Sequence, residues 1–347
     1  MTATGSPNAL QAAIVRLAHH EPLGAEEAAD AFGVIMRGEA TELQVAAMLT
    51  GLRVRGESGD IVAGVVRALR EVMVQLPAEA RDELVDTCGT GGGAVQTFNI
   101  STAAALVAAG AGVRVAKHGN RSFTSRCGSA DVLEALGVPL DAPLETMAAS
   151  LRTAGIVFMY APVMHPAMRH VGPVRRELGI PTVMNVVGPL ANPAGATRQV
   201  VGVADPGRVD ILAAALRELG ARHALVVHGE PGLDEVSPLG PTRVLEIRDG
   251  SSTEWIIEPE DYGYTGFAPG ELAGGDPAEN ARIILDVLAG QGSAAAAAAV
   301  VLNAAAAIYV SGRVTHFADG VVSARKSLES GTGLAALERL RAAYRSG

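Results

Sequence analysis

The sequence predicts an α/β protein, with a small all-helical domain and a larger α/β domain built on a mainly parallel central sheet flanked by helices. Three observations predict it. Residues from about 8 to 75 show helical spacing and no alternating strand pattern. From Glu83 onward, short apolar runs alternate with helical segments, as βαβ units do. The glycine clusters fall just past those apolar runs, where a parallel sheet places its ligands.

In the helical opening, Leu10, Ile14 and Leu17 recur at helical spacing, as do Val45, Met48, Leu49 and Leu52, and then Ile61, Val65, Val66 and Leu69. A polar stretch with a proline (Leu76 to Glu79) ends that pattern. Strands are expected at Leu84–Cys88, Val113–Ala116, Ile156–Tyr160, Val200–Val203 and Ala224–Val227, with helices at Ser101–Ala109 and Ala130–Leu136 between them. Val244–Ile247 and Glu254–Ile257 read as a late β-pair, and the chain is helical again from Pro277. The stretch Ala167–Gly179 reads as a helix inserted between strands. With the Pro/Gly-rich segment after it, it is expected to pack back on the opening helices. The helical domain is therefore expected to comprise residues 1–76 plus about 167–197, and the α/β domain 77–166 and 198–347. No internal repeat is visible.

Composition narrows the function. Apolar residues make up 48%, enough for a sizeable core, and charged residues only 19%, which excludes wholesale disorder. A net charge of −9 and an aromatic share of 3% argue against a nucleic-acid-coating protein. Two cysteines, Cys88 and Cys127, cannot make a disulfide scaffold or a four-thiolate zinc site and fit a reducing compartment. The opening residues lack the basic and apolar regions of a signal peptide. The apolar stretch Ala294–Val310 is mostly alanine, interrupted by Asn303, and reads as a buried helix rather than a membrane span. A cytoplasmic protein is expected.

Four clusters carry chemistry. The first runs from Asp86 through Thr87, Cys88, Gly89, Thr90, Gly91, Gly92 and Gly93, with Thr97, Asn99, Ser101 and Thr102 opening the next helix. Glycines let backbone approach a ligand, successive N–H groups line an anion nest, and a helix N-terminus favours phosphate. The run is neither a Walker A motif nor a clean GxGxxG. The second, Lys117 to Ser122 and on through Arg126, Gly128, Ser129 and Asp131, brings three cations and several hydroxyls to a strand end, as a polyanion-gripping loop would. The third, His228 to Glu235, sets Asp234 beside Glu235 in a glycine loop. Such a pair suits Mg²⁺, although read alone it also fits surface decoration. The fourth includes His165 and the helix bearing Arg175 and Arg176. One of these arginines is able to fork onto a carboxylate, although an ordinary helix-surface ion pair explains them as well.

Taken in order, DTCGTGGG, NIST, KHGNRS, GSADVLEALG, HPAMRHVGPVRRELG, NVVGPLANP and HGEPGLDEVSP resemble the anthranilate phosphoribosyltransferase family over roughly residues 85–240. KHGNR and GSADVLEALG are shared with the pyrimidine nucleoside phosphorylases of the same fold. The resemblance implies transfer of a phosphoribosyl group from 5-phosphoribosyl 1-diphosphate to the amine of anthranilate, Mg²⁺ as cofactor, and a homodimer formed through the helical domain. It assigns to the donor Gly89, Thr90, Gly91, Gly92, Gly93, Thr97, Asn99, Ile100, Ser101 and Thr102. It also assigns to it Lys117, His118, Gly119, Asn120, Arg121, Ser122, Phe123, Thr124, Ser125 and Ser129. Gly89, Asn120 and Arg175 fall to anthranilate, and Ser101, Asp234 and Glu235 to the metal, with Lys117 and Arg175 as the catalytic pair.

The sequence departs from the family pattern in two loops: Gly93 stands where GTGGD has its Asp, and Phe123 and Cys127 stand where small or hydroxylic residues are common. Because a neutral aromatic amine is already nucleophilic, no strong general base is expected, with His118 the residual candidate. A pyrimidine nucleoside phosphorylase, or a non-catalytic nucleic-acid-binding relative, is the alternative. The GTGG loop and Arg175 argue against the first and second respectively.

Overall fold

A computed structural model describes residues 8–122 and 126–345. Four helices open the chain: α1 (Ala9–Ala18), α2 (Ala25–Met36), α3 (Glu42–Arg55) and α4 (Gly59–Val72). Their starts are set by short polar caps. The Asn8 side chain accepts from the Gln11 N–H at 2.9 Å, Thr41 and Gln44 cap each other reciprocally, and Ser58 accepts from the Ile61 N–H.

The sheet-forming part follows as β1 (Leu84–Gly89), α5 (Ile100–Gly110), β2 (Arg114–Gly119), α6 (Ser129–Ala135), α7 (Leu144–Thr153) and β3 (Ile156–Tyr160). After the short α8 (Ala161–Met164), α9 (Gly172–Leu178) and α10 (Met184–Val187) come β4 (Arg198–Gly202), α11 (Val209–Glu218) and β5 (His223–Gly229). A hairpin of β6 (Thr242–Arg248) and β7 (Ser251–Ile257) precedes α12 (Pro277–Leu288), α13 (Ala294–Val310), α14 (Phe317–Glu329) and α15 (Thr332–Arg345).

The expected strands and the late antiparallel pair are all present, each within a few residues of its expected bounds. The expected Ala167–Gly179 helix is divided instead. A 3₁₀ turn spans Pro166–His170, and α9 restarts at Gly172 with Pro173 in its first turn. Proline restricts the residue before it and has no N–H to continue a helix, so it fits a fresh start and not a helix interior. The sequence reading did not single out α7.

The seven strands lie in the order β3-β2-β1-β4-β5-β6-β7, with the first five parallel. The chain builds outward from β1 to β3 and then returns to the other side of β1. The connections therefore reverse between β1 and β4, and a crevice opens beyond their carboxyl ends. Alternate strand residues serve two cores. Val200, Leu225 and Val227 pack with α5, α7 and α12 to α15. Val201, Ala224 and Val226 pack with α11, the opening helices and the 167–191 segment, including Val171, Val174 and Leu190.

The α13 helix is buried along nearly its whole length, as its alanine-rich sequence predicts. Small residues let its neighbours come close: a Cβ added at Gly320 of α14 would lie 2.7 Å from the Ala305 carbonyl oxygen, and one at Gly110 of α5 would lie 2.5 Å from the Gly333 nitrogen. Among the described residues, no helix is long and apolar enough to cross a membrane.

At the β3 edge, the Tyr344 hydroxyl of α15 donates to the Phe158 carbonyl at 2.7 Å and accepts from the Phe158 N–H at 3.2 Å. One side chain thus satisfies both backbone groups that an edge strand leaves open. Tyr344→Phe should lower stability by about 1–3 kcal/mol, the usual cost of stranding buried polar groups, read as a fall in the urea midpoint with the slope unchanged.

Candidate functional site

The crevice is built on two paired glycines. Gly89 ends β1, Gly202 ends β4, and they are register partners. The loop carrying Asp234 lies directly on them: a Cβ at Gly202 would fall 1.6 Å from the Asp234 carbonyl oxygen, and one at Gly89 would fall 2.7 Å from Asp234 Oδ2. Gly93 belongs to the same packing, since a Cβ there would lie 2.9 Å from the Gly232 carbonyl oxygen. The glycine in place of the usual Asp is thus matched to a close backbone neighbour. Gly91 and Gly92 have left-handed φ of +70° and +81°, a backbone conformation that glycine adopts without strain.

The acidic pair meets the glycine loop and α5 through hydrogen bonds. The Gly91 N–H donates to Asp234 Oδ2 at 2.8 Å, and the Ser101 N–H at the start of α5 donates to Glu235 Oε1 at 3.2 Å. Lys117 joins them from β2: its ammonium donates to the Thr87 carbonyl and, at 3.2 Å, to Ser101 Oγ. Glycine loop, lysine and carboxylates therefore converge on one point through Ser101.

Beneath this lies Asp86, fully buried, which accepts from the His118 N–H at 3.1 Å and from Asn192 Nδ2 at 2.7 Å. Asn192 also donates to the Ala116 carbonyl at 2.8 Å, so the segment between α10 and β4 is tied to β1 and β2. The acidic loop is held from behind by Asn303 of α13, whose amide bonds both the N–H and the C=O of Val236, at 2.9 and 2.8 Å.

Burial sets the electrostatics. It raises Asp234 and Glu235 above the usual carboxylate range, Glu235 further because Asp234 is adjacent. Burial likewise lowers Lys117, against the pull of Asp86. Asp86 is pushed up to about 6 by burial, opposed by Lys117 and its hydrogen bonds. His118 and His165 stack edge to face at 4.9 Å, and burial keeps both neutral, His165 down to about 4. Two inward carboxylates short of positive charge are a fitting donor set for a divalent cation. Among the described residues no third His, Cys, Asp or Glu joins them, which leaves the remaining positions to hydroxyl, water or substrate oxygens, as Mg²⁺ prefers.

Several expected residues sit differently from the sequence reading. Lys117 is only 3% exposed and lies under the crevice floor, acting through Ser101 instead of reaching into the cleft. Ile100 and Thr102 are buried, and the Thr102 hydroxyl is enclosed without a hydrogen-bond partner, so neither side chain faces the crevice. Arg121 turns outward to Asp131 and Glu134 of α6, at 2.7 and 3.0 Å, and is not a free cation for a polyanion. Asn99 is engaged with Cys127 and Asn280. Thr90 braces the loop by accepting from the Ala204 N–H at 3.1 Å, and Thr97 is half-buried beside Phe98.

Gly119, Asn120, Ser122 and Ser129 form one tight bend. Asp131 accepts from the Ser122 and Gly128 N–H groups, and Ser129 Oγ donates to the Asn120 carbonyl at 3.4 Å. Phe123, Thr124 and Ser125 lie outside the described residues. Arg175 is half-buried on α9 beside buried Val174, and has no hydrogen-bond or ion-pair partner among the described residues. Burial lowers its pKa from the ordinary arginine value. Sequence reasoning placed Asp86 in the first cluster and Asn192 in the NVVGPLANP motif but gave neither a role, and it noted Asn303 only as a break in an alanine-rich helix. The only signal was polarity inside apolar stretches.

Asp86 gives a pH signature. Folded, it keeps its proton up to about pH 6, against an ordinary value of 3.8, so the folded state binds more protons in that window and stability falls as pH rises through it. Asp86→Asn removes this slope. The stability difference between wild type and variant should shift against wild type by on the order of 2–3 kcal/mol from pH 4 to pH 6.5, measured by urea unfolding.

Known proteins resemble the chain over nearly its whole length. Residues 11–73 match the glycosyl transferase family, helical bundle domain, and residues 81–334 the glycosyl transferase family, a/b domain. An anthranilate phosphoribosyltransferase of Rubrobacter xylanophilus is 52% identical over 330 residues, covering 95% of this chain and 96% of the relative. Anthranilate phosphoribosyltransferase 2 of Streptomyces coelicolor is 49% identical, covering 92% and 94%. Among solved structures, the anthranilate phosphoribosyltransferase of Thermus thermophilus superposes with a TM-score of 0.90 at 44% identity, covering 96% of this chain and 99% of that one. The Saccharomyces cerevisiae enzyme in complex with PRPP and Mg superposes at 0.88 and 28% identity, covering 97% and 98%.

Proposed function

The chain belongs to the glycosyl transferase family, and from that premise we propose that it transfers the phosphoribosyl group of 5-phosphoribosyl 1-diphosphate to the amine of anthranilate, releasing diphosphate, in tryptophan biosynthesis. The observation that carries this reading is the convergence of the Gly91 loop, the start of α5, Lys117 and the Asp234–Glu235 pair at the β1/β4 reversal. A site of this kind suits a leaving group that gathers negative charge.

Substitution at an anomeric carbon runs through an oxocarbenium-like state in which departure leads attack. The departing diphosphate is best met by fixed dipoles: the amides of Gly91 and Gly92 in the loop after β1, and the N-terminus of α5. Lys117 holds Ser101 Oγ at the head of that helix and adds positive charge from below. Asp234, Glu235 and Ser101 would hold Mg²⁺, which neutralises diphosphate charge when bound. At present both carboxylates accept from amides that an incoming phosphate also wants, so metal binding and donor binding are expected to assist each other.

Arg175 fits the anthranilate carboxylate, because a half-buried guanidinium without a partner invites a bidentate anion. Asn120, on the bend after β2, would orient the amine. His118, neutral and buried, agrees with a reaction that needs no strong base.

A homodimer fits the surface of the helical part. Leu43 and Val54 on α3 are 83% and 76% exposed, with Ala47 on the same stripe and Val15 of the adjacent α1 55% exposed. A self-complementary pair of such stripes would bury them. The cysteines are not joined in a disulfide, which favours a cytoplasmic location.

Arg175→Ala should raise the KM for anthranilate at least about tenfold and change the donor KM by less than about twofold, followed by loss of anthranilate fluorescence; an equal rise in both would remove the carboxylate role. Leu43→Arg with Val54→Arg should convert the dimer to a folded monomer, read by light scattering, and an unchanged mass would place the interface elsewhere.

A further inference from the structure

Asn303 is the one polar residue along the buried core of α13 before Tyr309, and the activity described so far gives it no role. It is 3% exposed. An amide in an apolar helix costs stability unless its groups are bonded, and Asn303 spends nearly all of them in one direction. Its Nδ2 donates to the Val236 carbonyl at 2.8 Å and to the Ala299 carbonyl of its own helix at 2.9 Å, while its Oδ1 accepts from the Val236 N–H at 2.9 Å. Val236 immediately follows Glu235.

The rest of that loop is fastened on the other side. The Ser237 N–H donates to Thr242 Oγ1 at 2.9 Å, and Ser237 Oγ donates to the Glu230 carbonyl. The Asp234 backbone rests on Gly202, leaving no freedom below. Both carboxylates thus lie between a strand-end contact and a two-point amide clamp from the central helix.

We propose that Asn303 is a positioning residue for the acidic pair: it fixes the backbone at Val236 so that Asp234 and Glu235 face the diphosphate end of the site with their spacing set before metal or donor arrives. This rests on the donor-site reading given above. Were Asn303 there only for stability, leucine would strand the Val236 N–H and C=O and lower the unfolding temperature, yet leave ligand affinity unchanged.

The test uses Asn303→Leu and the full chain. Binding of inorganic pyrophosphate is followed by calorimetry with and without Mg²⁺, beside the KM for anthranilate and the unfolding temperature. The clamp predicts that Mg²⁺-dependent pyrophosphate affinity falls roughly tenfold or more while the anthranilate KM stays within about twofold, since two buried hydrogen bonds to the loop are lost. A lowered unfolding temperature with unchanged pyrophosphate affinity would make Asn303 purely structural and overturn the proposal.

Should the variant not fold, hydrogen exchange on the wild type decides. A Val236 amide as slow without Mg²⁺ and pyrophosphate as with them supports the preset clamp, and one that slows only when they bind overturns it. Wild type showing no Mg²⁺-dependent pyrophosphate binding would instead overturn the donor-site reading, a result distinct from either of these.

Discussion

The site depends on one close approach, the backbone of Asp234 lying on the last residues of two adjacent parallel strands. No side chain fits between them at Gly202, and at Gly89 a Cβ would fall 2.7 Å from the Asp234 carboxylate. That contact sets the height of the acidic loop over the sheet. It also brings the two carboxylates within reach of the amides that open α5 and the glycine loop. The reversal of strand order between β1 and β4 supplies the crevice, and the paired glycines allow a third segment to close its rim.

The electrostatics follow from that placement. Burial acts on every charged group here in the same sense, favouring the neutral form, so Asp86, Asp234 and Glu235 are raised and Lys117 lowered. Such a cluster is costly in isolation and becomes favourable when a ligand brings both phosphate oxygens and a divalent ion. Under the proposed reaction, the diphosphate and Mg²⁺ would offset that unfavourable burial of charge.

Much of this was legible in the sequence, for definite reasons. The strands announced themselves as apolar runs ending in glycines, and the glycine, lysine and carboxylate loops were recognisable because each follows such a run. Side-chain direction was not legible. Lys117 and Arg121 are four residues apart in one polar run, yet Lys117 lies within β2 and turns to Thr87 and Ser101, while Arg121, past the strand end, turns out to α6. Composition cannot distinguish them, because the choice is made by partners distant in the chain. The same holds for Asn192, which bonds Asp86 across more than a hundred residues, and for Asn303, which was visible only as a break in an alanine run. The 3₁₀ break before α9 had a local signal in Gly172-Pro173, which the helical spacing around it obscured.

The alanine helix at the centre has a consequence for how such a protein can change. Gly320 of α14 has no room for a methyl group against it, and Gly110 of the adjacent α5 has none against Gly333 of α15. Enlarging any residue on that seam would push apart several helices at once, since no single neighbour can yield alone. Drift in sequence is therefore expected to concentrate on the outer helices and on the rim loops. Under the acceptor role proposed for Arg175, an engineer seeking a broader acceptor range would vary α9 and its surroundings and leave the hub untouched.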